Sequence, residues 1–95
     1  MGHTQDLADL KGRVALVTGA GQVGEALAVS LARHNASAVA VVDLSKARAE
    51  HVAGEVEAAG ARGLPLVADL TDPESVAEMT DAAGALGRPI DILVN

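Results

Sequence analysis

Apolar residues are distributed along this chain in two alternating rhythms. Short unbroken runs at about 13–18, 38–43, 64–68 and 90–94 are separated by longer stretches in which apolar residues recur every three or four positions. Unbroken runs of this length mark strands covered on both faces, and the wider spacing marks amphipathic helices. The first helix is predicted over about 22–34, with Val23, Ala26, Leu27 and Leu31 forming a stripe turned toward a sheet. The second is predicted over about 46–59, with Ser45 as its cap and Gly60 as its stop. The third begins at Thr71-Asp72-Pro73-Glu74 and ends at Gly87. Asp72 is its cap, and Pro73 takes the first helical position, where a missing N–H costs nothing. Residues 1–12 read as a polar lead-in and residues 13–95 as a single unit of alternating strand and helix.

Alternation of this kind builds a parallel sheet through right-handed crossovers. Strands one, two and three step outward in one direction, which puts the first two helices on one face. The fourth strand returns to the far side of the first, which puts the third helix on the other face. The expected fold is therefore α/β, a Rossmann-type three-layer arrangement with parallel sheet order 3-2-1-4, cut off after its fourth strand. Its crevice falls between strands one and four, at their carboxyl ends.

Composition limits what can fill that sheet. Hydrophobic residues make up 49% of the 95, yet Phe, Trp and Tyr are all absent, so the core is built from Val, Leu, Ile and Ala. The absence of Cys excludes disulfides, thiolate metal sites and a cysteine nucleophile. A net charge of −6, with seven scattered Lys and Arg residues, argues against nucleic acid as a partner. No apolar stretch approaches the roughly 20 residues of a membrane span, no signal peptide is legible, and Asp6 spoils a myristoylation motif at Met1-Gly2. The expected setting is the cytoplasm. His3, His34 and His51 lack neighbours at metal-ligand spacing, and Glu50, Glu55 and Glu57 read as a solvated helix face.

Candidate chemistry sits at the first strand-to-helix turn. The strand Arg13 to Thr18 runs into Gly19-Ala20-Gly21-Gln22-Val23-Gly24, a Gly-x-Gly-x-x-Gly pattern that opens a helix. One glycine permits the tight turn, the next lets backbone N–H groups approach a pyrophosphate, and the third lets helix and strand pack closely. The helix N-terminus itself attracts the anion, so no side-chain cation is required. The second apolar run ends in Asp43, 19 residues past Gly24. That is near the spacing of about 20 at which a carboxylate meets the ribose hydroxyls of a dinucleotide. Such a carboxylate repels a 2′-phosphate, so NAD is expected ahead of NADP, although Lys46 and Arg48 lie close by in sequence.

These residues resemble the short-chain dehydrogenase/reductase family, over its N-terminal half. Asp9 to Gly19 is similar to the family's lead-in and first strand, and Ala68-Asp69-Leu70-Thr71-Asp72 to the end of its third strand. Asp91-Ile92-Leu93-Val94-Asn95 resembles the fourth strand leading into an Asn-Asn-Ala-Gly signature, of which only Asn95 is present. The resemblance implies that Asp69 meets the adenine edge while Leu70 packs on the ring. The candidate cofactor-binding set is thus Thr18, Gly19, Gly21, Gln22, Val23 and Gly24 in the first turn, Asp43 and Leu44 after the second strand, Asp69 and Leu70 after the third, and Asn95 after the fourth. The glycine turn departs from the family's Thr-Gly-x-x-x-Gly-x-Gly. Allowing a one-residue deletion restores Gly24 and leaves the middle glycine missing, a shorter turn like that of malate and lactate dehydrogenases.

By resemblance, the chain is the cofactor-binding half of an NAD(P)-dependent oxidoreductase that interconverts a secondary alcohol and a ketone, in the manner of 3-oxoacyl carrier-protein reductases. The family's catalytic Ser, Tyr and Lys belong to a later segment, and these 95 residues contain no Tyr. They are therefore expected to be inactive alone, and no catalytic or metal-binding residue is assigned. A full-length parent is expected to be a homo-oligomer, and the shorter chain is expected to self-associate. Two other functions remain open: a stand-alone dinucleotide-binding module, and part of a 2-hydroxy-acid dehydrogenase.

Overall fold

The computed structural model describes residues 9–95; the first eight residues of the expected lead-in, with Met1-Gly2, His3 and Asp6, lie outside them. In chain order the elements are β1 (Val14–Thr18), α1 (Gln22–Arg33), β2 (Ala38–Asp43), α2 (Lys46–Ala58), β3 (Arg62–Val67), α3 (Pro73–Ala83), a 3₁₀ turn (Gly84–Leu86) and β4 (Ile92–Val94). The strands form one sheet in the order β3-β2-β1-β4, and every neighbouring pair is parallel. This is the order that right-handed crossovers require of the sequence pattern.

Alternate residues of each strand supply the two faces. Ala15, Val17, Val39 and Val41 meet Ala28 and Ala32 of α1 and Val52 and Val56 of α2. Val14, Leu16, Ala38, Ala40, Val42 and Leu66 meet Ala83 at the end of α3 and Leu86 in the 3₁₀ turn. Valine is the largest side chain in the fully buried set, so the layers lie close together.

That closeness corrects the predicted stripe of α1. Val23 is 74% exposed and Leu27 40%, while the buried residues of the helix are Ala28 and Ala32. The seam facing the sheet follows the four-residue row Gly24, Ala28, Ala32, because its small residues let the helix backbone come down onto β1. A Cβ at position 24 would overlap the Gly19 carbonyl. Among the expected four, Leu31 alone packs against the core, and only partly.

Caps distinguish the three helices. The Ser45 hydroxyl accepts from the Arg48 N–H at 3.2 Å at the start of α2, and Asp72 Oδ1 accepts from the Glu74 N–H at 3.1 Å at the start of α3. The residue before α1 is Gly21, which offers no side-chain cap. Gly60 (φ 107°) follows α2 and Gly87 (φ 70°) follows the 3₁₀ turn, both in the left-handed region suited to glycine.

Two strand boundaries differ from expectation. β3 begins at Arg62, two residues early, through Gly63 and Pro65. Both are tolerated because β3 is an edge. The Arg62 and Ala68 N–H groups donate to Ser37 and Asp43 carbonyls, so donors toward β2 fall on even positions and the Pro65 nitrogen faces outward. Gly63 lies so near α2 that a Cβ would overlap the Ala53 carbonyl. β4 begins at Ile92 because Asp91 Oδ2 accepts from the Val14 N–H at 2.9 Å, where a regular ladder would use a carbonyl.

Candidate cofactor site

Only three residues, Gly19 to Gly21, join the end of β1 to the start of α1. Gly19 has φ 92°, which a side chain would strain, and its N–H donates to the Val42 carbonyl at 2.7 Å. Gly21 is different. Its backbone is extended, at φ −74° and ψ −171°, which any residue adopts, and a Cβ there would meet nothing within 4 Å. The fold therefore gives Gly21 no internal reason to be glycine, and the space in front of it is open. With no side-chain cap on α1, the first N–H groups of that helix face the same space.

Thr18 closes the gap between β1 and β4. Its hydroxyl lies 3.3 Å from both the Val94 carbonyl and Asn95 Oδ1, placing its single proton between two acceptors at the strand ends.

Both acids predicted at strand ends are engaged by backbone donors. Asp43 Oδ1 accepts from the Ala20 N–H at 2.9 Å and Oδ2 from the Ser45 N–H at 2.8 Å. These two donors, Ala20 first, hold the carboxyl below the ordinary carboxylate range, with a smaller contribution from the Arg48 charge. Asp69 Oδ1 accepts from the Thr71 hydroxyl at 2.6 Å and from the Thr71 N–H at 2.9 Å, which lowers its pKa likewise and, among the described residues, leaves Oδ2 without a bond. The Asp69 N–H in turn donates to the Ser75 hydroxyl at 2.9 Å, anchoring the turn to α3.

Two clefts open at the carboxyl ends of the strands. One, of about 450 Å³, is lined by Asp43, Leu44, Arg48, Asp69 and Leu70 among others, and the second, of about 440 Å³, by Thr18, Gly21, Gln22, Val23, Gly24 and Asn95. Gly19 lines both, so the glycine turn is the saddle between them. Every one of the eleven predicted residues lines one cleft or the other. Leu44 and Leu70 are 72% and 49% exposed, two apolar side chains offered to the first cleft from two different loops.

Sequence reasoning missed Ser45 and Thr71 as cleft residues, because in one dimension each signals only a helix start. It also missed the Ala20 N–H, which carries no side-chain signal at all. His51, given no chemistry from sequence, places Nε2 3.1 Å from Glu25 Oε2 and so links α2 to the first turn of α1. Among the described residues, no three His, Cys, Asp or Glu side chains gather where they could hold a metal ion.

A parallel sheet with a glycine turn and a strand-end carboxylate at its topological switch point defines a Rossmann-type, NAD(P)-binding domain. Within that class, the chain belongs to the short chain dehydrogenase family, whose model matches residues 13–95. It is 42% identical over 87 residues to the oxidoreductase UcpA of Escherichia coli strain K12, covering 90% of this chain and 32% of that protein. It is 40% identical over 75 residues to the versicolorin reductase stcU of Emericella nidulans, covering 78% of this chain and 28% of the other. Among solved structures, a hydroxysteroid dehydrogenase from Escherichia coli superposes with a TM-score of 0.85 at 34% identity, over 96% of this chain and 39% of that one. An NAD⁺-bound xylitol dehydrogenase gives 0.82 at 32% identity, over 88% and 32% of the two chains. A 3-oxoacyl (acyl-carrier-protein) reductase from Agrobacterium tumefaciens with NADP bound gives 0.78 at 30%, over 94% and 34%. The chain thus spans about a third of the length of these relatives.

Proposed function

We propose that the two clefts form the dinucleotide site of an oxidoreductase that interconverts a secondary alcohol and a ketone, with NAD preferred to NADP. The observation that carries this reading is the open space at Gly21 in front of the uncapped start of α1. Backbone N–H groups there, aided by the helix dipole, suit a pyrophosphate. The first cleft takes the adenosine: Leu44 and Leu70 present apolar surface to a flat ring, Asp69 Oδ2 accepts from an exocyclic amine, and Asp43 accepts from ribose hydroxyls. The second cleft, with Thr18 and Asn95, receives the other nucleoside. NAD bound in this way supplies a hydride acceptor, and NADH a hydride donor. Asp43 repels a 2′-phosphate, which favours NAD even with Arg48 on the same cleft wall.

Residues 13–95 are, on this reading, the cofactor-binding part of a longer domain. Proton transfer in such a reaction needs a positioned acid or base, and these 95 residues contain no tyrosine to provide one as their relatives' family does. Alone, they are expected to give no turnover with any secondary alcohol. Protein-dependent NADH production that survives rigorous purification would overturn this.

Calorimetric titration of the protein and of Gly21→Ser with NADH and NADPH tests the site. Serine caps a helix slightly better than glycine, so the variant should melt at the same temperature or a little higher. Its hydroxyl would occupy the anion's place and weaken both dinucleotides at least tenfold. Unchanged affinity in Gly21→Ser would remove the pyrophosphate from this turn, and tighter binding of NADPH than of NADH would reverse the cofactor choice.

A further inference from the structure

Both oxygens of the Asp43 carboxylate are occupied by the protein itself, and the two donors come from different loops. The Ala20 N–H belongs to the glycine turn, which forms the saddle, and the Ser45 N–H to the β2–α2 turn, which walls the adenosine cleft. Ala20 is buried, at 6% exposure, and lies outside strand and helix, so neither ladder offers its N–H an acceptor. One neighbouring bond, Gly19 N–H to the Val42 carbonyl at 2.7 Å, ties the same turn to the end of β2.

Resting on the dinucleotide reading above, we propose that Asp43 is also a positioning residue, a latch that holds the glycine turn in register with the adenosine wall. The carboxylate then acts on pyrophosphate binding through the Ala20 backbone, whether or not the ligand has ribose hydroxyls. Without it, the buried Ala20 N–H has to turn toward water. Gly19 and Gly21, on either side, have the freedom to let it do so, and the N–H groups of the saddle move off the position that suits the anion. Asparagine preserves half of the latch. Its oxygen accepts from one backbone donor, while its amide nitrogen cannot accept from the other.

ADP and 2′,3′-dideoxy-ADP distinguish the latch from simple ribose contact, because they share adenine and pyrophosphate but differ in the hydroxyls. Both are titrated into the full-length protein, Asp43→Ala and Asp43→Asn. The latch predicts that Asp43→Ala weakens dideoxy-ADP tenfold or more and that Asp43→Asn recovers at least threefold of that loss. Equal dideoxy-ADP affinity in Asp43→Ala and the unsubstituted protein would overturn it. A ligand-free measurement decides independently, including where a variant fails to fold. In ¹⁵N-labelled unsubstituted protein, the Ala20 and Ser45 amide resonances should shift together through one acidic midpoint. An Ala20 resonance that ignores this titration would also overturn the latch. If neither nucleotide binds the unsubstituted protein, the dinucleotide reading falls, and the amide titration still decides whether the latch exists.

Discussion

Gly19, Gly21 and Gly24 share a motif but answer to different constraints. Gly19 needs a left-handed backbone, Gly24 leaves no room for a methyl group beneath the Gly19 carbonyl, and Gly21 has room to spare. Gly24→Ala should therefore push α1 away from the Gly19 turn, destabilising the fold by about 1–3 kcal/mol, the usual range for overpacking, and distorting the turn with it. Denaturant unfolding measures the first effect and NADH titration the second; a stable variant with full affinity would contradict the close packing of α1 on the Gly19 turn. Asp43 makes a pH prediction. Its carboxyl titrates below the ordinary value of 3.8 in the fold, so its stabilising effect is complete above that pH and is lost as pH falls through the folded-state value. Melting temperatures of the unsubstituted protein and Asp43→Asn should differ at pH 6 and converge on acidification below about 4, whereas a constant gap would show that the charge is immaterial.

At the scale of elements, α2 and β3 approach closely just as α1 approaches the turn before it, again through a glycine. A side chain at Gly63 would strike the Ala53 carbonyl, backbone against backbone, with no flexible group able to yield. Gly63→Ala should cost about 1–3 kcal/mol in unfolding experiments. Gly63 lines neither cleft, so dinucleotide affinity measured well below the melting temperature should change less than threefold. A large loss of affinity with unchanged stability would mean that the α2–β3 contact sets the shape of the adenosine cleft. The Ser45 and Asp72 caps show a related economy: each closes a helix start that flanks the cleft, while the helix start facing the saddle stays open.

For the molecule as a whole, the two faces of the sheet are unequally covered. α1 and α2 bury one face, whereas α3 contributes a single buried residue, Ala83, to the other. Beside it a hollow of about 320 Å³ is lined by Leu16, Met79, Ala83, Ile90 and Leu93, and Leu93 is 62% exposed at the edge of the sheet. β4 has β1 on one side and no described strand on the other. An apolar hollow next to an open strand edge favours association. The isolated 95 residues should elute as dimers or larger species, with a broad melt that sharpens as concentration rises. A monodisperse monomer with a cooperative transition would show that α3 and the 3₁₀ turn cover enough of this face.

Much of this was legible in one dimension. Strand order, the sides on which the helices lie, and the caps Ser45 and Asp72 follow from hydrophobic rhythm, crossover handedness and local hydrogen-bonding chemistry, none of which depends on a distant contact. The spacing of Gly24 and Asp43 likewise pointed to that acid, and the family resemblance to Asp69; both acids line one cleft together with Gly19. Tertiary structure decided the rest. Which stripe of α1 faces the sheet depended on how close the backbones come, and closeness selected Gly24, Ala28 and Ala32 over the larger Val23 and Leu27. Where β4 begins depended on a carboxylate replacing a carbonyl, at Asp91. The partners of Asp43 could not be read at all, because one of them is a backbone N–H of Ala20. Every residue but proline carries that group, and only the fold determines which one lies beneath the carboxylate.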